Sequence, residues 1–289
     1  MKNPVGIYYA YWENEWNADF IPYIGKVKSL GFDDLEINAG AIVDMTAAER
    51  KTLADAARDA GITLSYCIGL PAEYDLSSES AQVRKNGIEF VGKILDGMHE
   101  MGGKTLGGII YATWPMKSAP TYDEKLNMRA RSMESLREIL KKAEQYGINY
   151  CLEIVNRFEQ CILNTAAEGV RYVKELESPS VKLLLDTFHM NIEEDSIGDA
   201  IRSAKGVLGH FHIGEPNRKT PGTGRMPWNE IFGALKEIEY DGMIVMEPFI
   251  KVGGQVGKDI KVFRDLSNNA DAARMDEMAA AAASFVKRG

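Results

Sequence analysis

Eight short runs of apolar, β-branched or aromatic residues recur along this chain, and helical segments fill the gaps between them. The strand candidates fall near residues 6–12, 34–39, 62–69, 105–111, 150–156, 181–186, 208–213 and 243–249. Strands that alternate with helices are expected to form a parallel sheet covered by those helices. Eight units in 289 residues come to about 36 residues each, which suits a closed (β/α)8 barrel of roughly 250 residues plus loops. A doubly wound open sheet is the competing arrangement. It calls for a Gly-rich nucleotide turn after the first strand, where this chain reads Tyr8-Tyr9-Ala10-Tyr11-Trp12. No Pro/Gly/Ser-rich linker or composition shift divides the sequence. The expectation is therefore an α/β protein, a single (β/α)8 TIM barrel over residues 1–289, with its site at the C-terminal ends of strands five to eight.

Helix boundaries carry their own signals. Thr46 and Glu49 have capping-box spacing, as do Thr165 and Glu168. Gly61 suits the end of the first of these helices. Pro227 suits the first turn of a helix running to Ile238. Long helices are expected over 78–100 and 129–146, where apolar residues recur at helical spacing.

Composition narrows the class. With 45% hydrophobic and 26% charged residues, the chain reads as globular rather than disordered or fibrous. Against 42 Asp and Glu stand 34 Lys and Arg, a net charge of −8 with no basic block, so nucleic acid is a poor partner. No stretch approaches the roughly 18 apolar residues of a membrane span. The N-terminal residues lack a basic region followed by an apolar core, so the expected location is the cytoplasm. Cys67, Cys151 and Cys161 have no metal-ligand spacing and read as reduced thiols.

The chemistry shows in where polar residues fall. Barrel active sites lie at the carboxyl ends of the strands. Strand five runs into Glu153, strand six into Asp186, strand seven contains His210 and His212, and strand eight runs into Glu247. Each carboxylate follows an apolar run, where an unpaired charge is costly. One such residue alone is as readily a salt-bridged or surface group as a functional one. Four on successive strands aim at the same mouth, and a divalent cation resolves the repulsion among three carboxylates. Oxygen-rich ligation with one imidazole suits Mn²⁺ or Mg²⁺, with Co²⁺ as a further choice, better than structural zinc. Strand alternation puts His210 and His212 on one face. His212, nearer the carboxyl end, is the candidate ligand and His210 a hydrogen-bonded residue one layer deeper, while His99 reads as structural. Tyr8, Trp12, Trp16 and Trp114 gather near the ends of strands one and four, and Phe249 follows Glu247; each is core or pocket wall. Aromatic walls with a few polar groups suit a sugar. Arg218 and Arg225 lie on a Gly/Pro-rich loop after strand seven, either solvated or touching ligand.

At these residues the sequence resembles the ketose 3-epimerases, the D-tagatose and D-allulose (D-psicose) 3-epimerases of the xylose-isomerase-like barrel superfamily. The resemblance covers nearly the whole chain. It rests on the segment from Gly6 to Trp12, Glu153-Ile154-Val155-Asn156-Arg157-Phe158-Glu159, the stretch from Leu185 to Asp195, Gly209-His210-Phe211-His212 and Met246-Glu247-Pro248-Phe249. It implies that Glu153, Asp186, His212 and Glu247 bind Mn²⁺, or Co²⁺ or Mg²⁺ in its place. It also implies that Glu153 and Glu247 are the catalytic pair, and that Glu159, His189 and Arg218 contact substrate near its carbonyl end. Tyr8, Trp16, Trp114 and Phe249 resemble the apolar wall around the rest of the sugar, with Cys67 beside it. A homodimer or homotetramer is implied as well. The segment from Cys67 to Asp75 looks more like the tagatose-type enzymes than the allulose-type, and the other segments do not choose between them.

The implied reaction is epimerisation of a free ketohexose at C3 through a cis-enediolate, with Glu153 and Glu247 as acid and base on opposite faces. Each glutamate is expected to offer the metal one oxygen and keep the other for the proton. The rivals are an aldose–ketose isomerase, a barrel endonuclease acting on damaged DNA, and a metal-dependent sugar-binding protein. One compact ligand set argues against the two-metal isomerase. Four histidines and a charge of −8 argue against the nuclease. Arg218, Lys219 and Arg225 leave a phosphorylated substrate open.

Overall fold

The computed structural model describes residues 1–116, 118 and 120–289. Its centre is a closed parallel barrel of eight strands: β1 (Val5–Tyr8), β2 (Asp34–Asn38), β3 (Thr63–Cys67), β4 (Thr105–Gly108), β5 (Asn149–Ile154), β6 (Val181–Asp186), β7 (Leu208–Ile213) and β8 (Ile244–Met246). Sequential strands are neighbours throughout, and β8 closes on β1 with Val5 opposite Ile244 and Ile7 opposite Met246. The ring leaves no unpaired sheet edge. This is the (β/α)8 TIM barrel expected from the alternating pattern.

Helices cover the outside: α1 (Ile21–Ser29), α2 (Ala41–Asp44), α3 (Ala47–Ala60), α4 (Ala81–Met101), α5 (Tyr122–Tyr146), α6 (Ala166–Leu176), α7 (Thr187–Glu193), α8 (Ile197–Ser203), α9 (Trp228–Glu237), α10 (Gly254–Asp259) and α11 (Ala272–Arg288). Both expected capping boxes form, Thr46 with Glu49 at α3 and Thr165 with Glu168 at α6, and Gly61 ends α3 in the left-handed conformation. A third box, Thr121 with Glu124, starts α5 two turns earlier than apolar spacing suggested. Those first turns are largely exposed, so no apolar stripe marks them. Pro227 sits at the N-cap of α9 rather than inside its first turn. No helix among the described residues is long and apolar enough to cross a membrane.

Several strands are shorter than their apolar runs. β1 stops at Tyr8 and passes into a 3-10 turn, β4 stops at Gly108, and β8 ends before Glu247 and Pro248. The residues that follow stay buried; Tyr9, Ile110, Tyr111 and Ala112 are at most 2% exposed. The apolar pattern reports burial, and here the strand-end loops pack into the mouth as tightly as the strands.

Inside the ring, side chains from different strands share one space, so small residues matter where large ones cross. A Cβ on Gly107 would lie 2.7 Å from Leu184 Cδ1 and 3.4 Å from His210 Cδ2. Gly107→Ala is therefore expected to lower the unfolding free energy by about 1–3 kcal/mol. Adding Leu184→Val should recover part of that loss in a denaturant titration, and strict additivity of the two losses would contradict this packing.

Candidate active site

The strand ends deliver Glu153 from β5, Asp186 from β6, His212 from β7 and Glu247 one residue past β8. The Glu247 amide still donates to Ile213 O at 3.0 Å, which extends the β7 pairing and fixes where this carboxylate starts. One ligand-type atom from each of the four residues lies within 4.8 Å of those of the other three. Asp186 and His212 are fully buried, whereas Glu153 and Glu247 line a cavity of about 720 Å³. Two carboxylates thus open onto the cavity, and two groups lie beneath it.

Three carboxylates so close and so buried create an electrostatic strain. Burial pushes Glu247 up to about 8, with Glu153 and Asp186 adding to the rise while His212 and Arg218 oppose it. Asp186 goes the other way. Burial would raise it, but Arg218 foremost, then His189 and His212, hold it below the usual carboxylate range. The Arg218 guanidinium lies 2.8 Å from Asp186 Oδ2 and 3.0 Å from Glu247 Oε2 through Nη1. It also stacks on Phe188 at 3.8 Å, which keeps its plane fixed.

A divalent cation fits this set. The Nδ1 atom of His212 is buried without a hydrogen-bond partner, 3.8 Å from Glu247 Oε2. A free imidazole nitrogen facing three carboxylates is the oxygen-rich, single-nitrogen donor set of Mn²⁺ or Mg²⁺ rather than the sulfur-rich set of a structural zinc.

Local structure explains the remaining polar groups. The Asp186 side chain caps α7, accepting from the Phe188 amide at 3.0 Å, so His189 follows within one turn and faces the same cluster. His189 Nδ1 accepts from the Asn156 backbone amide at 3.2 Å. The ring proton is therefore on Nε2, 3.6 Å from Glu153 Oε1. Glu159 accepts from Trp114 Nε1 at 2.8 Å and from Asn156 Nδ2 at 3.1 Å. Arg218 occupies a left-handed backbone conformation, φ 63°. Its loop is organised by buried Glu215, whose carboxylate accepts from the Gly222 amide (2.9 Å), the Met226 amide (3.1 Å) and Trp228 Nε1 (3.0 Å). The Phe249 amide then donates to Arg218 O at 2.9 Å, tying this loop to the end of β8.

The other residues singled out in the sequence fall as follows. Tyr8, Trp16, Cys67, Trp114, Glu159, His189, Arg218 and Phe249 all line the cavity with Glu153 and Glu247. Trp16 stands edge-on to Trp114 and Phe249, with ring centres 6.4 and 6.3 Å apart. Burial and the surrounding carboxylates push the Cys67 thiol well up, so it is a neutral wall group. Trp12 does not line the cavity; it stacks on Tyr23 and donates to Asp276. Arg225 is exposed and away from the cavity, unlike Arg218. His210 lies deeper, against Glu36.

Three contributors escaped the sequence reading. Glu215 reads as a loop residue, and its three donors are visible only once the loop is folded. Asn156 and Glu36 did leave a signal. Asn156 ends a buried strand run, and Asp34 and Glu36 alternate with apolar residues in a strand expected to be buried, which puts two acids on the inner face.

A model of the xylose isomerase-like TIM barrel family matches residues 24–266. D-psicose 3-epimerase of Agrobacterium fabrum (strain C58) is 51% identical over 280 residues, 97% of this chain and 96% of the relative. The chain belongs to the ketose 3-epimerase family. By that membership the protein is an isomerase of the epimerase type. Two solved structures agree across the whole barrel. A D-psicose 3-epimerase crystallised in the presence of D-fructose superposes with a TM-score of 0.96 at 50% identity, covering 99% of this chain and 98% of that one. The D-psicose 3-epimerase of Clostridium cellulolyticum H10 with D-tagatose gives 0.97 at 49% identity and the same coverage.

Glu215→Gln tests the support of the Arg218 loop. One amide N–H would then face a donor, at a cost of about 1–3 kcal/mol for the unpaired buried group. The expected result is reduced stability in a denaturant titration; unchanged stability would contradict the role assigned to Glu215.

Proposed function

We propose that the enzyme is a divalent-cation-dependent 3-epimerase of free ketohexoses, interconverting D-fructose with D-allulose and D-tagatose with D-sorbose. The observation that supports this most is that Glu153 and Glu247 reach one cavity from strands three apart in the ring, beside Asp186 and His212. Inverting C3 of a ketose requires removing a proton next to the C2 carbonyl and returning one to the other face. In this scheme one glutamate takes the C3 proton as general base, leaving a cis-enediolate, and the other delivers a proton from the opposite side. The reverse reaction exchanges their roles.

Glu153, Asp186, His212 and Glu247 would hold the cation, Mn²⁺ by preference with Co²⁺ or Mg²⁺ as substitutes. When bound, such an ion supplies Lewis-acid polarisation of the carbonyl and charge stabilisation for the enediolate. Arg218 and the Nε2–H of His189 present donors to the cavity for the carbonyl end of the sugar. Glu159, held by Trp114 and Asn156, presents an acceptor for a hydroxyl. Tyr8, Trp16, Trp114 and Phe249 form an apolar wall against the carbon skeleton and exclude water. The Cys67–Asp75 segment resembles the tagatose type, whereas the relatives matched at about half identity carry the name D-psicose 3-epimerase. D-fructose and D-allulose are accordingly placed first.

Mn²⁺-supplemented enzyme incubated with D-fructose should yield D-allulose by chromatography; glucose or mannose as the product would instead indicate 1,2-isomerisation. Glu153→Gln and Glu247→Gln should each lower kcat by at least about 10²–10⁴-fold while measurable metal binding survives, and full activity in either variant would sink the two-base scheme. Chelation should abolish turnover and added Mn²⁺ restore it; activity that persists after exhaustive chelation would contradict the cation requirement.

A further inference from the structure

Beneath the candidate metal cluster the barrel interior holds a second polar set. Asp34, Glu36, Ser65, His210 and the inner edge of His212 are fully buried. Glu36 stands at their centre. Its Oε1 is 2.7 Å from His210 Nε2 and 3.2 Å from the Ser65 hydroxyl, and its Oε2 is 2.8 Å from His212 Nε2. The last contact is too bent to count as a hydrogen bond, and neither Glu36 Oε2 nor His212 Nε2 has a hydrogen-bond partner among the described residues. Two buried, complementary atoms at that distance satisfy one another or nothing. On its opposite edge the same imidazole turns Nδ1 toward the carboxylates of the cluster above.

We infer that Glu36 is a positioning residue for the candidate metal ligand His212: its carboxylate takes the Nε2–H and thereby presents Nδ1 to the cation. This rests on the metal-dependent reading given above. A carboxylate behind a ligating histidine fixes which nitrogen is free, orients the ring and makes it a better donor.

The surroundings make Glu36 suited to this. It stands between two imidazoles, with Oε1 on His210 Nε2 and Oε2 toward His212 Nε2, so each of its oxygens faces a ring nitrogen. Asp34, two residues earlier on the same strand face, is pushed well up by burial. Its Oδ2 is 2.7 Å from the Ser65 hydroxyl, which in turn abuts Glu36. Asp34 and Ser65 therefore brace Glu36 from below without competing for the histidines. A different arrangement is conceivable from distances alone, since Glu36, Cys67 and His212 also bring ligand-type atoms within 4.8 Å of one another. It would use His212 Nε2 instead of Nδ1 and would leave the Glu153, Asp186 and Glu247 carboxylates without the cation.

The test compares Mn²⁺ binding to wild type and Glu36→Gln, followed by the electron paramagnetic resonance signal of free Mn²⁺, with the thermal midpoint of the metal-free protein as a parallel readout. The expected result is a Kd raised about 10–100-fold, with turnover largely regained at saturating Mn²⁺. A Kd within about twofold of wild type overturns the inference, even if the metal-free protein is less stable. Failure of wild type to bind Mn²⁺ at all would instead remove the metal-dependent reading itself. Should the variant not fold, wild-type protein carrying ¹⁵N-histidine and loaded with Mg²⁺ answers the same question, because the chain has only four histidines. Protonated Nε2 with a cation-shifted Nδ1 on His212 supports the inference, and a cation-shifted Nε2 overturns it.

Discussion

The packing of negative charge at the centre of the barrel is the constraint on which the other features depend. Glu36, Glu153, Asp186 and Glu247 are buried together inside the ring, from four strands (β2, β5, β6 and the end of β8), with Asp34 below them. Such a group of acids is tolerable only if each has a distinct compensation. Glu36 has two imidazoles, Asp186 has Arg218, and burial pushes Asp34 toward its protonated form. Glu247 is pushed up to about 8 by burial and the neighbouring carboxylates, despite its contact with Arg218. A cation among Glu153, Asp186, His212 and Glu247, as proposed above, would supply the missing positive charge. The Arg218 loop, the Glu215 brace that shapes it and the capping of α7 by Asp186 all serve to hold those groups in place.

Most of the architecture could be read from the chain because the fold is repetitive. Alternating apolar runs and helices make eight units, and Thr46, Glu49, Thr165 and Glu168 mark helix starts by the hydrogen bonds they form. The ends of the strands could not be read as well. Tyr9 and Ile110 are as buried as the strands that precede them, so an apolar pattern continues where the ladder has stopped. The start of α5 was hidden for the opposite reason. Its first two turns face solvent, and only the Thr121–Glu124 pair announces them.

The candidate site was legible to the extent that single residues carried it. Glu153, Asp186, His212 and Glu247 fall at the ends of successive strands, which already brings them to one mouth, and their atoms do meet there. Long-range support was not legible. Glu215 acts through amides of its own folded loop, and the Glu36 contact with His212 spans β2 and β7, strands that are not neighbours. Pairings across the inside of a closed ring have no local sequence signature beyond the alternation that points each side chain inward. Trp12 shows the converse: an aromatic residue beside a strand end that packs outward against α1 and α11 instead of the cavity.

The central claim is that two carboxylates on opposite sides of the substrate move a proton at C3. Turnover of D-fructose in D₂O with Mn²⁺ present tests it most directly, with deuterium located by NMR in the recovered ketoses. The account predicts deuterium at C3 of the D-allulose formed and none at C1. Deuterium at C1, or D-allulose formed without deuterium at C3, would contradict it.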